Sequence, residues 1–312
     1  TTTHRAMPEE KRLEIGLTEG WVRMSVGLES VIDLTREGRY LRPVRASPDG
    51  RLAPMTNNGT ADLAVIGVGS LADAVVDGLV GDPSGAPTIA LSPRNAERSA
   101  RLAERHPSCW VAESNQAAAD AASTVLLCVR PQDAPTVLAD LRLRPDHVVV
   151  SVMASISLDQ LAPLVAPATD VSRAIPMTAV AGRRATTPVF PAGSAAETLF
   201  AGLGEALVCP TEKAIDAVSA ASATVAAYFS YVGTISHWLA EQGLDPSAAG
   251  RYVSGIFAHV SEELGQGDDL ATLLTAHATP GGLNERIERT LREAGFYDRL
   301  ESTIDDVFRA LP

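Results

Sequence analysis

From Asp62 to about Pro210, short apolar runs alternate with stretches rich in Ala, Arg and Glu. The runs are Leu63–Ile66, Thr88–Leu91, Thr124–Val129, His147–Val152, Val171–Ala174 and Pro188–Phe190. Runs this short predict strands, and the stretches between them predict helices. Such alternation implies a parallel sheet covered by helices on both faces. After Pro210 the pattern changes. Residues 212–312 read as helix throughout, with breaks at Gly243-Leu-Asp-Pro246, Gly265-Gln-Gly267 and Thr279-Pro-Gly-Gly282. The predicted fold class is therefore α/β over residues 61–210, followed by an all-helical domain over 211–312.

The first sixty residues do not continue either pattern. A helical start at Pro8-Glu-Glu-Lys-Arg12 precedes an expected strand, Trp21–Gly27, within an extension spanning residues 1–41. Residues 42–60 are rich in turn formers and lack apolar periodicity, so they read as a linker.

Composition narrows the function classes. The chain has 312 residues and a formal net charge of -12, with only two lysines, Lys11 and Lys213. An acidic chain without clustered cations is a poor nucleic-acid binder, because phosphate contacts need Lys and Arg. Cys109, Cys128 and Cys209 are odd in number and sit in apolar settings, as reduced thiols of a cytoplasmic protein would. No His/Cys/Asp cluster has metal-ligand spacing, so no metal is expected. Neither a signal peptide nor an uninterrupted apolar run of about 18 residues is present, which argues against a membrane location.

The chemistry is concentrated in Ala61-Asp-Leu-Ala-Val-Ile-Gly67-Val-Gly69-Ser70-Leu71. A buried strand runs into a Gly-x-Gly turn and then a helix, the phosphate-binding start of a Rossmann unit. Free N–H groups at that helix start stabilise a pyrophosphate. Ala72 stands where a third glycine is usual. An NAD site wants an acid about 20 residues further on, at the end of the second strand. Here the segment reads Ala90-Leu-Ser92-Pro-Arg94-Asn95, without an acid. Ser92, Arg94 and Asn95 are instead suited to gripping a 2′-phosphate, which favours NADPH over NADH.

Several ordered motifs extend the picture: Ala64-Val-Ile-Gly-Val-Gly-Ser-Leu71, Val129-Arg130-Pro131, Val150-Ser-Val-Met-Ala-Ser-Ile156, Arg173-Ala-Ile-Pro176 and Thr279-Pro-Gly-Gly282. Together they resemble the pyrroline-5-carboxylate reductase family, which reduces a cyclic imine to proline with NAD(P)H. The resemblance covers Asp62–Leu311. It implies a Rossmann domain plus a helical domain that interlocks two subunits, as a homodimer or a higher homo-oligomer, with the active site at the interface. It places Asn115 at the adenine-side ribose, and Val129, Arg130 and Pro131 beside the cofactor. Met153, Ala154 and Ser155 are placed near the nicotinamide. The Thr279–Gly282 turn would take the substrate carboxylate at a helix start.

The departures are informative. Pro176-Met177-Thr178-Ala179 replaces the family's Pro-Asn-Thr-Pro, and Gly281-Gly282-Leu283-Asn284 replaces its Gly-Gly-Thr-Thr. Ala221–Tyr228 departs from the family's Ser-Gly-Ser-Gly-Pro-Ala-Tyr. Asn284 stands where a Thr hydrogen-bonds the ring nitrogen in the family, so Asn284 and Thr279 are the expected catalytic residues. Met177, Gly281, Gly282 and Leu283 are expected to bind substrate. These changes favour a different cyclic imine, while ordinary pyrroline-5-carboxylate reduction and a catalytically silent NADP-binding domain stay open. A hydroxy-acid dehydrogenase is disfavoured, since alcohol oxidation needs a base and the helical domain has only Lys213. His277, just before the glycine turn, is more simply a packing or surface residue, as are His237 and His259.

Residues 3–34, from Thr3-His-Arg to Val31-Ile-Asp-Leu34, resemble a second family. They are similar to the last segment of pyridoxal-phosphate enzymes of cysteine and methionine metabolism, in which the position of Arg23 holds an amino-acid carboxylate. The cofactor-binding Lys of that family is absent, so pyridoxal phosphate is expected only if a further domain precedes this chain. The start at Thr1 fits that expectation of a fusion, whose γ-substitution product would close to a six-membered imine for reduction to a pipecolate.

Overall fold

The computed structural model describes residues 60–311 apart from 83, 84, 266 and 268. The extension, its Trp21–Gly27 strand, and the linker as far as Gly59 lie outside the described residues. The eight strands are β1 (Ala61–Ile66), β2 (Ile89–Leu91), β3 (Cys109–Val111), β4 (Ala122–Leu127), β5 (Val148–Ser151), β6 (Asp170–Ala174), β7 (Ala185–Phe190) and β8 (Gly204–Val208). They form one sheet in the order β3-β2-β1-β4-β5-β6-β7-β8. Successive residues of a strand point to opposite faces. Ala64 and Ile66 of β1 accordingly enter one core with Val125 and Leu127, while Leu63 and Val65 enter the other with Leu126 and Val150.

Helices α1 (Ser70–Val80), α2 (Ala96–Arg105), α3 (Asn115–Asp120), α4 (Ala134–Ala139), α5 (Leu158–Val165) and α6 (Ala195–Ala201) connect the strands. Their starts are chemically marked. Asn95, Ser114, Ser157 and Ser194 each accept a backbone N–H of the first turn of the helix they precede, relieving donors that would otherwise be unpaired. Ser157 and Gln160 complete a reciprocal cap on α5.

The expected parallel sheet is mostly parallel, with one reversal toward an edge. β7 pairs antiparallel to β6, and β8 runs parallel to β7. A parallel return needs a crossover of roughly a dozen residues or more. Residues 175–184 between β6 and β7 hold only a single-turn 3₁₀ helix, Thr178–Gly182, whereas α6 between β7 and β8 supplies a full crossover. β3 and β8 escape the hydrophobic pattern because β3 has three residues and β8 is an edge strand with mostly exposed side chains.

Six further helices follow: α7 (Glu212–Ser222), α8 (Val225–Glu241), α9 (Pro246–Leu264), α10 (Leu270–His277), α11 (Leu283–Glu293) and α12 (Phe296–Arg309). Three of the breaks fall at the glycine and proline clusters predicted for them, and a fourth lies at Gly295, whose φ is +73°. α8 buries none of its residues in one protomer, although Tyr228, Phe229, Tyr231 and Trp238 lie on it. The stretch Glu212–Glu241 also contains an 18-residue window of mean hydropathy 1.2. α8 and α9 lie side by side, with Phe257 meeting Tyr228 and Tyr231 edge-on.

Candidate active site

The Gly67–Gly69 turn lies at the carboxyl end of β1, between β2 and β4. Connections leave this point toward opposite edges of the sheet, which is where doubly wound folds bind their ligands. Gly67 has φ +94°, and a β-carbon there would meet Val129 Cγ1 at 2.8 Å and the Cys128 carbonyl oxygen at 2.9 Å. The turn is thus pressed against the end of β4, and only glycine satisfies both the dihedral and the space. Gly69, which precedes α1, has nothing within 4 Å of its β-carbon position. Ser70, exposed, and Leu71, half-buried, open the helix beside this open space. The cradle fits a dinucleotide pyrophosphate: backbone donors at a helix start, with room above them.

The three residues expected at the 2′-phosphate separate. Ser92 is fully buried, and its Oγ accepts the Gly67 N–H at 2.8 Å. It braces the turn from within the fold. The sequence placed it one residue past β2 but could not show which way it points. Asn95 caps α2 through its Oδ1 and stays exposed. Arg94 is exposed and reaches Asp133 Oδ2 at 3.6 Å. Arg130 contacts the same carboxylate oxygen at 2.9 Å. Two guanidiniums, one beyond β2 and one beyond β4, therefore converge on Asp133 across the turn. Sequence reasoning missed Asp133, and its i,i+3 spacing from Arg130 is the signal that could have found it.

Asn115 opens α3 just beyond β3 and is half-buried. Val129 packs under Gly67, and Pro131 begins a 3₁₀ turn. Beyond β5, Met153 is buried, Ala154 half-buried and Ser155 exposed. Burial raises the Cys128 thiol to about 12 and the Cys109 thiol to about 11, so neither is a nucleophile at neutral pH. Among the described residues no His/Cys/Asp/Glu group could hold a metal.

Around the second glycine turn, His277, Thr279, Gly282, Leu283 and Asn284 line a hollow of about 170 Å³. Gly281 has φ +75°, and Gly282 precedes α11 with its N–H donated to the Thr279 carbonyl at 2.8 Å. Gly281 donates its own N–H to Glu285 Oε2 at 2.6 Å. A carboxylate of this chain thus sits on a donor that the sequence assigned to substrate. Asn284 Nδ2 donates to the His277 carbonyl at 3.0 Å, and His277 Nε2 contacts Glu263 Oε2 at 2.7 Å. His277 is thus tied to Asn284 through its backbone carbonyl and to Glu263 of α9 through its ring. Met177 is exposed at the start of the Thr178–Gly182 turn and does not line this hollow.

Residues 62–155 match the family described as "NADP oxidoreductase coenzyme F420-dependent". The pyrroline-5-carboxylate reductase of Pseudomonas aeruginosa is 32% identical over 179 residues, covering 54% of this chain and 65% of its own length, just under two thirds. That of Corynebacterium melassecola is 27% identical over 261 residues, covering 78% of this chain and 96% of its own. The crystal structure of 1-pyrroline-5-carboxylate reductase from Streptococcus pyogenes shares the fold, with a TM-score of 0.68 at 23% identity over 80% of this chain and 97% of its own. This chain is thus similar in sequence to pyrroline-5-carboxylate reductases and shares the fold of one of them.

Proposed function

We propose that this protein uses NADPH to reduce the C=N bond of a cyclic imine carboxylate, giving a cyclic amino acid. The observation that carries the reading is the pairing of two glycine-marked helix starts, Gly67–Gly69 before α1 and Gly281–Gly282 before α11. The first suits a pyrophosphate and the second a carboxylate. When bound, the dinucleotide supplies the hydride. Gly67, Gly69, Ser70 and Leu71 would hold its pyrophosphate, Arg94 and Arg130 its 2′-phosphate, Asn115 its adenine-side ribose and Ala154–Ser155 its nicotinamide end. On the substrate side, the Gly281–Gly282 turn would take the carboxylate and Asn284 the ring nitrogen, with Thr279 beside it. An iminium arrives with its proton, so orientation suffices and no lysine base is required.

The finer reading is an imine larger than, or substituted relative to, pyrroline-5-carboxylate. Asn284 supports it by replacing a differently bonded group at the glycine turn, whereas Met177 lies outside the hollow there. The pyridoxal-enzyme resemblance of residues 3–34 supports it too, since γ-substitution chemistry would deliver a six-membered imine and reduction would give a pipecolate-like product. We further propose that a second copy of the chain covers the apolar face of α8, where Phe229 is 66% exposed and Trp238 56%, and completes the site. NADPH oxidation assayed against five- and six-membered imine carboxylates tests the function. Turnover of the six-membered ring in preference supports the finer reading, preference for pyrroline-5-carboxylate reduces it to the ordinary activity, and NADPH binding without any turnover removes both.

A further inference from the structure

Arg173, at the end of β6, is fully buried. Its Nη1 donates to Glu212 Oε1 at 2.7 Å, and its Nη2 to Asp216 Oδ1 at 2.7 Å. Both carboxylates belong to α7, the first helix after the sheet. The same Nη2 donates to the Ala154 carbonyl at 3.1 Å. Glu212 Oε1 also accepts the Leu158 N–H at 2.6 Å. The connection between β5 and α5 is thereby fastened at both ends: at Ala154 by the guanidinium, and at Leu158 by the carboxylate that pairs with it.

Packing alone does not account for this arrangement. A buried ion group is costly to desolvate, and apolar side chains of similar volume often serve stability equally well. The Arg173 Nε, moreover, is buried without a hydrogen-bond partner. What the charged group does, and an apolar one could not, is fix the direction of one particular carbonyl. That carbonyl belongs to the segment assigned above to the nicotinamide end of the dinucleotide.

We infer that Arg173, held by Glu212 and Asp216, is a positioning residue that sets the 153–155 segment to receive the nicotinamide and ties its placement to α7. The inference rests on the cofactor reading of that segment. α7 runs on into α8, the helix with the uncovered apolar face, so a partner settling on α8 would bear on the loop through Glu212 and Asp216.

The test compares wild type with Glu212→Gln and Arg173→Lys, each still able to hydrogen-bond but with the charge or the forked geometry altered. Without cofactor, amide hydrogen exchange of residues 154–158 is expected to quicken in both variants by more than that of the rest of the sheet, alongside the lowered thermal midpoint that disturbing a buried ion group brings. NADPH binding, followed by its fluorescence, is expected to weaken. With imine present, kcat is expected to fall by about 100-fold, the size that ångström-scale misplacement produces, and the deuterium isotope effect on hydride transfer to rise. Folded variants with unchanged exchange and unchanged NADPH affinity would overturn the proposal, as would a lowered thermal midpoint with unaltered kcat. If wild type binds NADPH but reduces no imine, the functional reading fails separately, and exchange and affinity still decide the positioning role. If wild type binds no NADPH, the proposal falls.

Discussion

Gly67 donates its N–H to the hydroxyl of Ser92 at 2.8 Å, so the turn beneath the expected pyrophosphate is braced by the residue that follows the neighbouring strand. Replacing Ser92 by Ala leaves a Gly67 N–H facing an apolar interior. An unsatisfied buried donor costs about 1–3 kcal/mol, and the turn is expected to lose NADPH affinity along with stability. Denaturant unfolding and NADPH titration of Ser92→Ala check this together. Unchanged affinity with lowered stability would show that the brace serves the fold alone.

Gly67→Ala places a methyl group 2.8 Å from Val129 Cγ1 at a φ of +94°. Dihedral and clash act in the same direction. NADPH binding is expected to be lost at concentrations that saturate wild type, together with stability, whereas Gly69→Ala, which meets nothing of the protein within 4 Å but fills the space read as the pyrophosphate's, is expected to weaken NADPH while leaving stability near wild type. Equal loss of stability in the two variants would contradict the geometry.

Arg94 and Arg130 share Asp133. Removing the Arg94 charge by Arg94→Ser is expected to lower NADPH affinity by about 10- to 100-fold, the range for a charge-assisted hydrogen bond, with NADH little affected. Asp133→Asn acts the other way, releasing both guanidiniums from an exposed pair worth at most about 1 kcal/mol. It is expected to tighten NADPH by a few-fold. The ratio of NADPH to NADH dissociation constants in the two variants is the measurement, and movement in the same direction would refute the shared-anion reading.

Glu285 Oε2 holds the Gly281 N–H at 2.6 Å, so a substrate carboxylate must displace it or share it. Glu285→Ala is expected to lower KM for the imine carboxylate, together with a loss of about 0.5–1 kcal/mol of helix-start stabilisation. A raised KM would mean that Glu285 orients the turn for substrate.

The Cys128 thiol is lifted from 9.0 to about 12 and the Cys109 thiol from 9.0 to about 11, chiefly by burial. The folded protein therefore keeps protons that the unfolded chain releases above pH 9. This stability is fully present below pH 9 and is lost as pH rises through the folded values. For Cys128 alone the slope is about 1.4 kcal/mol per pH unit. Urea midpoints between pH 8 and pH 10.5 are expected to fall accordingly, and less steeply in Cys128→Ala. A flat profile would argue against the buried thiols.

The sequence determined what is local. Short apolar runs separated by stretches rich in Ala, Arg and Glu located six of the strands, and the change of pattern after Pro210 located the helical region, because each buried element must find a core. Gly67, Gly69, Gly281 and Gly282 marked the two helix starts, and at Gly67 and Gly281 the positive φ is one that few other residues tolerate. The tertiary structure decided what depends on register and distance. It reversed β7, where the linking segment is too short for a crossover, and it turned Ser92 inward beneath Gly67. It brought Arg94 and Arg130 from separate strand ends onto Asp133, and it set Arg173 between Ala154 and two carboxylates some forty positions away. Apart from the i,i+3 step from Arg130 to Asp133, none of these pairings is encoded in spacing along the chain. Each follows from which strands become neighbours, a matter settled by burial over the whole sheet.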